Sequence, residues 1–321
     1  MKHLTLLISS AGRRVGLIDC FRQSAASMGV SLEVLACDLE PGLSAACNAA
    51  DRAFAVPAYG DPAFVDALID IVREHGVDLV VPTIDPELAP LAAAIDRFSA
   101  LGARVHVSPS CVIEVARDKL RTAEVLEQAG VPVPWTRPFG NGHLMDGLSG
   151  WPAFLKPSAG SASRGIRIVE GPAELPEAVD EPMVLQQFLV GPEFTVNMFI
   201  DQGGVLRSAV AHRRLRVRAG EVEKGRTERD PIFRELAEGV ARALPEARGV
   251  LCFQVILDAA TGPRVFEINA RFGGGYPLAH HAGAEYARWL LEEVAALPST
   301  AHDDWRAGVL MLRYDAAIFE G

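Results

Sequence analysis

The chain is poor in cysteine, has no long apolar run and lacks both familiar glycine-rich nucleotide motifs. Its five cysteines (Cys20, Cys37, Cys47, Cys111, Cys252) are scattered, with no C-x-x-C pair. The odd number and wide spacing argue against a disulfide framework and fit reduced thiols in a cytoplasmic protein. No apolar stretch approaches the roughly 18 residues of a transmembrane helix. The opening run, Met1 to Ser10, resembles a short signal peptide, but its apolar core is too short and Gly12-Arg-Arg14 follows at once. A first buried strand is the expected reading. Basic charge is also in short supply. Lys and Arg total 31 against 41 Asp and Glu, a net charge of −10, which disfavours nucleic acid and anionic membrane as partners. The turn Ser9-Ser-Ala-Gly-Arg-Arg-Val-Gly16 lacks the full G-x-G-x-x-G pattern, so a dinucleotide site is weakly supported. The loop Pro157-Ser-Ala-Gly-Ser-Ala-Ser-Arg-Gly165 does not match G-x-x-x-x-G-K-[ST] and is no Walker A motif.

What is present is an ordinary globular composition, 49% hydrophobic and 22% charged over 321 residues, enough for two or three domains. Short apolar runs at 4–8, 32–36, 53–56, 78–82 and 104–107 alternate with helical patterns at 14–28, 62–74 and 87–98. This predicts a parallel sheet covered by helices. Ser10, Arg13, Asp38, Thr83, Asp85 and Glu87 fall at or near its strand ends, where ligands of such sheets bind. Beyond Ser108-Pro-Ser110 come one or two helices over 111–130, then strands at 152–156, 166–170, 183–189, 193–200 and 207–218. A helix over 230–244 is predicted, with Asp230 at the N-cap and Pro231 first inside. An amphipathic helix over 278–297 closes the chain.

The most informative stretch is Val265-Phe-Glu-Ile-Asn-Ala-Arg271. On an ideal strand Val265, Glu267, Asn269 and Arg271 share one face and Phe266, Ile268 and Ala270 the other. A carboxylate and an amide two residues apart are hard oxygen donors suited to Mg²⁺, and a guanidinium beyond them suits phosphate. A hairpin through 258–263 would bring the amide of Gln254 beside Glu267. Lys156 ends a strand and precedes the Gly/Ser loop. The N–H groups of that loop, with the hydroxyls of Ser161 and Ser163, suit phosphate oxygens. The run His212-Arg-Arg-Leu-Arg-Val-Arg218 is the most basic in the chain but has no interleaved aromatics. Alternate arginines on a strand suit a phosphate or carboxylate, which makes Arg213 or Arg214 a site candidate, with Arg214 put forward as catalytic. Gly273-Gly-Gly-Tyr276 permits close backbone approach to a ligand near the last helix, and His280 and His281 read as packing or surface residues.

Taken together, Lys119, Lys156 with its loop, Gln186-Gln-Phe-Leu189 with Glu193, and Gln254 with Glu267-x-Asn269-x-Arg271 resemble the ATP-grasp superfamily. Val81-Pro-Thr-Ile-Asp-Pro-Glu87, Arg117-Asp-Lys119 and Glu267-Ile-Asn-Ala-Arg-Phe-Gly-Gly-Gly275 resemble its group related to the carbamoyl-phosphate-synthase large subunit and the pyrrolysine-pathway ligase. The resemblance implies an α/β fold: an N-terminal parallel α/β domain (1–110), an ATP-grasp small subdomain with a phosphate-covering loop (111–189) and a metal- and phosphate-binding subdomain (190–321). The two later parts are α+β, with ATP between them. It implies that Lys119, Lys156 and the loop residues Gly160, Ser161, Ser163 and Gly165 hold phosphates. Gln186 and the backbone of Gln187 and Leu189 hold adenine, and Glu193 holds ribose. Gln254, Glu267 and Asn269 ligate Mg²⁺, with Mn²⁺ as an alternative, and Arg271 stabilises the transferring phosphoryl group. Two positions depart from the usual pattern, with amides at Gln186 and Gln254 in place of acids. The implied activity is ATP-dependent ligation of a small-molecule carboxylate to an amine, less often a thiol, through an acyl phosphate. Carboxyphosphate chemistry and a non-catalytic ATP-binding module are the alternatives. Among relatives of this kind homodimers are common.

Overall fold

The computed structural model describes residues 2–140, 150–160 and 165–319. In chain order the first part comprises β1 (His3–Ser9), α1 (Val15–Met28), β2 (Ser31–Asp38), α2 (Ala45–Ala49), β3 (Arg52–Ala55) and α3 (Phe64–His75). β4 (Leu79–Pro82), α4 (Leu88–Ala93), α5 (Ile95–Ser99) and β5 (Arg104–Val105) complete it. The five strands form a parallel sheet in the order β3-β2-β1-β4-β5. β1 is buried from Leu4 to Ser9, as a strand covered on both faces must be. Chain direction across the sheet reverses between β1 and β4, so their carboxyl ends flank a crevice of the kind that binds ligands in open α/β sheets.

Two antiparallel sheets follow. α6 (Ser110–Arg117) and α7 (Lys119–Gln128) lead into β6 (Thr136–Phe139), β7 (Ala153–Pro157), β8 (Arg167–Val169) and β9 (Met183–Gln187). These pair as β6-β9-β7-β8. The larger sheet contains β10 (Glu193–Ile200), β11 (Leu206–Arg218) and β12 (Glu221–Thr227). After α8 (Pro231–Ala243) come β13 (Gly249–Asp258), β14 (Gly262–Asn269), α9 (Tyr276–His281), α10 (Tyr286–Val294) and β15 (Leu310–Leu312). Its order is β14-β13-β10-β11-β12-β15. Local chemistry sets the helix ends. Gly29 (φ 66°) closes α1 by returning its N–H to Ala25 and Ala26 carbonyls. Asp118 caps α7 by accepting from the Leu120 and Arg121 N–H groups, and Asp230 caps α8 with Pro231 first inside.

Two predicted helices are broken. The 87–98 pattern is a 3₁₀ turn followed by α4 and α5, separated at Ala94 (φ −110°). The 278–297 pattern is α9 and α10, separated by Gly283 (φ 108°). Across that break the Tyr276 hydroxyl accepts from the Ala287 N–H at 2.8 Å.

One face of the parallel sheet, with Leu7, Leu35 and Val80, packs on α3 to α5 and runs into the core of the large sheet at Phe194, Val196 and Phe253. The other face, with Leu6, Ile8 and Val81, buries Phe21 of α1 together with Phe272, Tyr276 and Trp289. The last helices thus close over the first sheet. Each such large apolar side chain contributes about 1.5–3 kcal/mol on full burial. The β1–β4 crevice and the large sheet are therefore held in one packed body. Among the described residues, no helix is long and apolar enough to cross a membrane.

Candidate active site

The β13–β14 hairpin places Gln254 opposite Glu267 and Cys252 opposite Asn269. The register continues across the sheet to Thr195 on β10 and His212 on β11. One face therefore carries a row of polar side chains. A bulge between Gln254 and Val255 shifts the pairing, so that Val265 lies opposite Val255. The strict alternation expected of 265–271 is corrected accordingly. Val265 is buried in the core, whereas Phe266 lies under the Lys156 ammonium, 5.7 Å from Nζ to the ring centroid. An extra residue on one strand reverses the facing of its neighbours.

Glu267 lines a narrow crevice with Asp85, Arg117, Gly160 and Asn269. Burial pushes its carboxyl up from the ordinary range, against the opposing pull of Lys119 and Lys156. Among the described residues, no donor hydrogen-bonds either the Glu267 carboxylate or the Gln254 amide oxygen. A half-buried carboxylate left in this condition suits a cation. With the Asn269 oxygen, they form a hard-oxygen set that fits Mg²⁺.

Lys156 is the penultimate residue of β7 and is buried. Burial, and then the neighbouring charge of Lys119, push its ammonium down to about 8. Its Nζ donates to Gln186 Oε1 at 2.6 Å, and Gln186 Nε2 donates to Thr136 Oγ1 at 3.0 Å. Gln186 is thus tied to Lys156, a contact not foreseen from the adenine role. Lys119 begins α7, and its Nζ donates to the Gly160 carbonyl at 3.0 Å. Asp118 Oδ1 accepts from Ser158 Oγ at 2.8 Å. α7 thereby holds the start of the Gly/Ser loop, and Gly160 (φ 121°) adopts a conformation open to glycine. Ser161 and Ser163 lie outside the described residues. Gly165 (φ 67°) rejoins the chain against Pro157.

Gln187, whose backbone is expected at adenine, donates its N–H to the Trp135 carbonyl at 2.9 Å. The small sheet continues into this segment and takes that donor. Leu189 is buried, and among the described residues its backbone groups have no hydrogen-bond partner. Glu193, expected at ribose, pairs with Arg214, Oε1 to Nε at 3.0 Å. Burial raises the Glu193 carboxyl while Arg214 opposes that rise. Arg214 faces the site and Arg213 is exposed. The even alternation expected along 214–218 is interrupted by register shifts on either side of Arg216. His212 is buried, and burial pushes its imidazole down to about 3, so it is neutral.

Arg271 lies just past β14. Its Nη2 donates to Asp85 Oδ2 at 2.6 Å and to Asn269 Oδ1 at 3.1 Å, and its Nη1 to the Phe272 carbonyl at 3.0 Å. Burial works against the charge, but Asp85 holds the guanidinium firmly protonated. Among the described residues its buried Nε has no partner, a donor that a phosphate oxygen would satisfy. Asp85 thus joins the site as the partner of Arg271. Glu87 has a structural role: it is fully buried and accepts from Ser9 and Ser10 hydroxyls and the Thr83 and Ile84 N–H groups. Asp38 likewise accepts from the Gly12 and Leu39 N–H groups. Sequence reasoning missed Arg14, Glu221 and Arg313, which meet at the triglycine turn. Only Gly274, which an added Cβ would drive to 2.6 Å from Glu221, marked that close approach.

The charges converge on a cleft beside the two antiparallel sheets, with a chemistry that suits a polyphosphate and a cation. Comparisons with known proteins identify the family. The family model described as PylC-like, N-terminal domain, matches residues 6–106, and the one described as ATP-grasp domain matches residues 116–275. The chain belongs to the ATP-grasp superfamily. It is 37% identical over 97 residues to a D-alanine–D-alanine ligase of Marinobacter nauticus, covering 27% of this chain and 30% of that protein. It is 27% identical over 195 residues to the 3-methyl-D-ornithine–L-lysine ligase of Methanosarcina mazei, covering 57% of this chain and 48% of the relative. The matches thus span no more than about half of these relatives' length. Among solved structures, the biotin carboxylase domain dimer of Hydrogenobacter thermophilus 2-oxoglutarate carboxylase, in complex with MgADP, ADP and bicarbonate, has a TM-score of 0.73 at 19% identity. That match covers 95% of this chain and 73% of the other.

Proposed function

We propose that the protein is an ATP-dependent carboxylate–amine ligase. The observation that carries this reading is the Glu267 carboxylate, unpaired among the described residues, facing Gln254 across a hairpin and within the field of Lys119, Lys156 and Arg271. Lys119 and Lys156 neutralise the ATP phosphates, and the loop beginning at Gly160 covers them. Leu189, whose backbone groups have no partner among the described residues, offers them to the base. The pairing of Glu193 with Arg214 sets both beside the sugar and phosphate path. Gln254, Glu267 and Asn269 would hold Mg²⁺, which screens the phosphates and polarises the phosphoryl group; Mn²⁺ suits the same oxygen donors. Arg271, fixed by Asp85, receives the charge that develops on the transferring phosphoryl group.

The γ-phosphoryl group passes to a substrate carboxylate, with ADP leaving. An amine then attacks the acyl carbonyl, and phosphate leaves as the amide forms. The protein's task is positioning, charge neutralisation and exclusion of water. We propose the domain division 1–110, 111–189 and 190–321 for this work. The partners are small molecules, and a homodimer, the state of the biotin carboxylase neighbour, fits the same reading. Buried free thiols at Cys20, Cys37, Cys47 and Cys252 support a reducing, cytoplasmic setting.

The test is ADP and phosphate release from Mg-ATP against pooled amino acids and other carboxylates, with mass spectrometry of the products. Pool-dependent ADP with a condensed product is expected. AMP and pyrophosphate in place of ADP would overturn the mechanism.

A further inference from the structure

Three arginines from distant parts of the chain converge on a single carboxylate beside the triglycine turn. Glu221 Oε1 lies 3.0 Å from Arg14 Nη1, and Glu221 Oε2 lies 2.9 Å from Arg313 Nη1 and 3.4 Å from Arg13 Nη2. Arg13 and Arg14 follow β1 at the carboxyl-end crevice, where Arg14 also reaches toward the Thr83 carbonyl at 3.5 Å. Arg313 follows β15 and donates to the Gly274 carbonyl. Glu221 sits at the tip of the β11–β12 hairpin, carried there by a turn through Ala219 (φ 50°) and Gly220 (φ 78°). Gly274 lies directly on the Glu221–Arg14 pair, since an added Cβ would stand 2.6 Å from Glu221 and 2.8 Å from Arg14.

The charge balance is uneven. One carboxylate faces three guanidinium groups, an excess of two positive charges. On the proposed reading Lys119, Lys156, Arg271 and a bound metal would serve the ATP phosphates, which leaves these three arginines unassigned. All four side chains keep some solvent exposure, from 16% at Arg14 to 61% at Arg13. A planar guanidinium pair is the preferred receptor for a carboxylate, and Glu221 already occupies it in that geometry.

We propose that Arg13, Arg14 and Arg313 bind the non-reacting carboxylate of the amine-bearing substrate, and that Glu221 occupies their site until the substrate displaces it. This rests on the ligase reading. It assigns the amine donor to the amino acids, held by a free carboxylate while its amine faces the Arg271 side. The hairpin carrying Glu221 then acts as an internal competitor, and its release makes room for the substrate.

The test compares a pool of the twenty common L-amino acids with the same pool as carboxamides, each supplemented with the same pool of N-acetyl amino acids to supply the carboxylate that is phosphorylated. Thermal shift with Mg-ADP reads binding, and ADP release from Mg-ATP reads turnover. The acids should bind and turn over about 10- to 100-fold better than the amides. Arg14→Gln and Arg313→Gln should lose that discrimination while keeping wild-type Mg-ATP affinity, which also shows that they fold. Glu221→Gln should tighten acid binding by about tenfold, because the competing carboxylate is gone. Amides turning over as well as acids would overturn the site and leave the ligase intact. Arginine-dependent binding of acids with no ADP release would keep the site and overturn the ligase. Binding unchanged or weakened in Glu221→Gln would overturn the competitor role, and no binding of either pool would overturn the site.

Discussion

At the scale of the residue, the Lys156 ammonium faces the amide of Gln186, where a carboxylate would have secured its charge. With the free pKa pushed down to about 8, Lys156 is charged below that pH and neutral above it. Phosphate favours the charged form, so ATP raises this pKa, and affinity must fall as pH climbs through the free value. Calorimetry should find Mg-ATP affinity nearly flat below about pH 7.5 and weakening toward tenfold per unit above about pH 8.5. Gln186→Glu should move that fall to higher pH, because a carboxylate beside Nζ raises the lysine. A flat profile in the wild-type protein would contradict this account of the pair. Glu267 supports a second prediction. Glu267→Gln keeps the shape but removes the charge proposed to hold the cation, so turnover should fall at least about a hundredfold. Circular dichroism and thermal melts should remain close to wild type.

At the scale of the element, the site depends on turns that press backbone against backbone. Gly191 lies between β9 and β10, and an added Cβ would stand 2.0 Å from the Leu257 carbonyl oxygen. Gly191→Ala must displace the turn that positions Glu193. A loss of about 1–3 kcal/mol in denaturant unfolding is expected; unchanged stability would show that the turn yields freely. The elements themselves were largely legible. Alternating apolar runs marked β1 to β5, the 258–263 turn foretold the Gln254–Glu267 pairing, and Asp230-Pro231 marked the start of α8. The bulge at Gln254/Val255 was not legible, because one extra residue in a strand leaves the apolar pattern almost unchanged while reversing the facing of Val265 and Phe266. The interruption at Ala94 was hidden likewise, since the apolar spacing continues across it.

At the scale of the molecule, the first sheet takes part in the chemistry of the last one. Asp85 and Arg271 are 186 residues apart and meet at 2.6 Å. Sequence could nominate each as a strand-end or site residue, but no local pattern encodes such a meeting. The same holds for the gathering of Arg13, Arg14 and Arg313 on Glu221. Asp85→Asn should lower turnover about tenfold or more by freeing Arg271 from its oriented position, without weakening Mg-ATP binding, since the guanidinium charge remains. Equal losses in turnover and ATP affinity would instead mean that Asp85 supports the nucleotide site as a whole.

The central claim is that a carboxylate is activated by phosphorylation in this cleft. Once a carboxylate substrate has been identified, labelling it with heavy oxygen and following the released phosphate by mass spectrometry tests that claim directly. The account predicts one labelled oxygen in phosphate for each amide formed, because the acyl phosphate carries it across. Phosphate free of label alongside amide formation would contradict it.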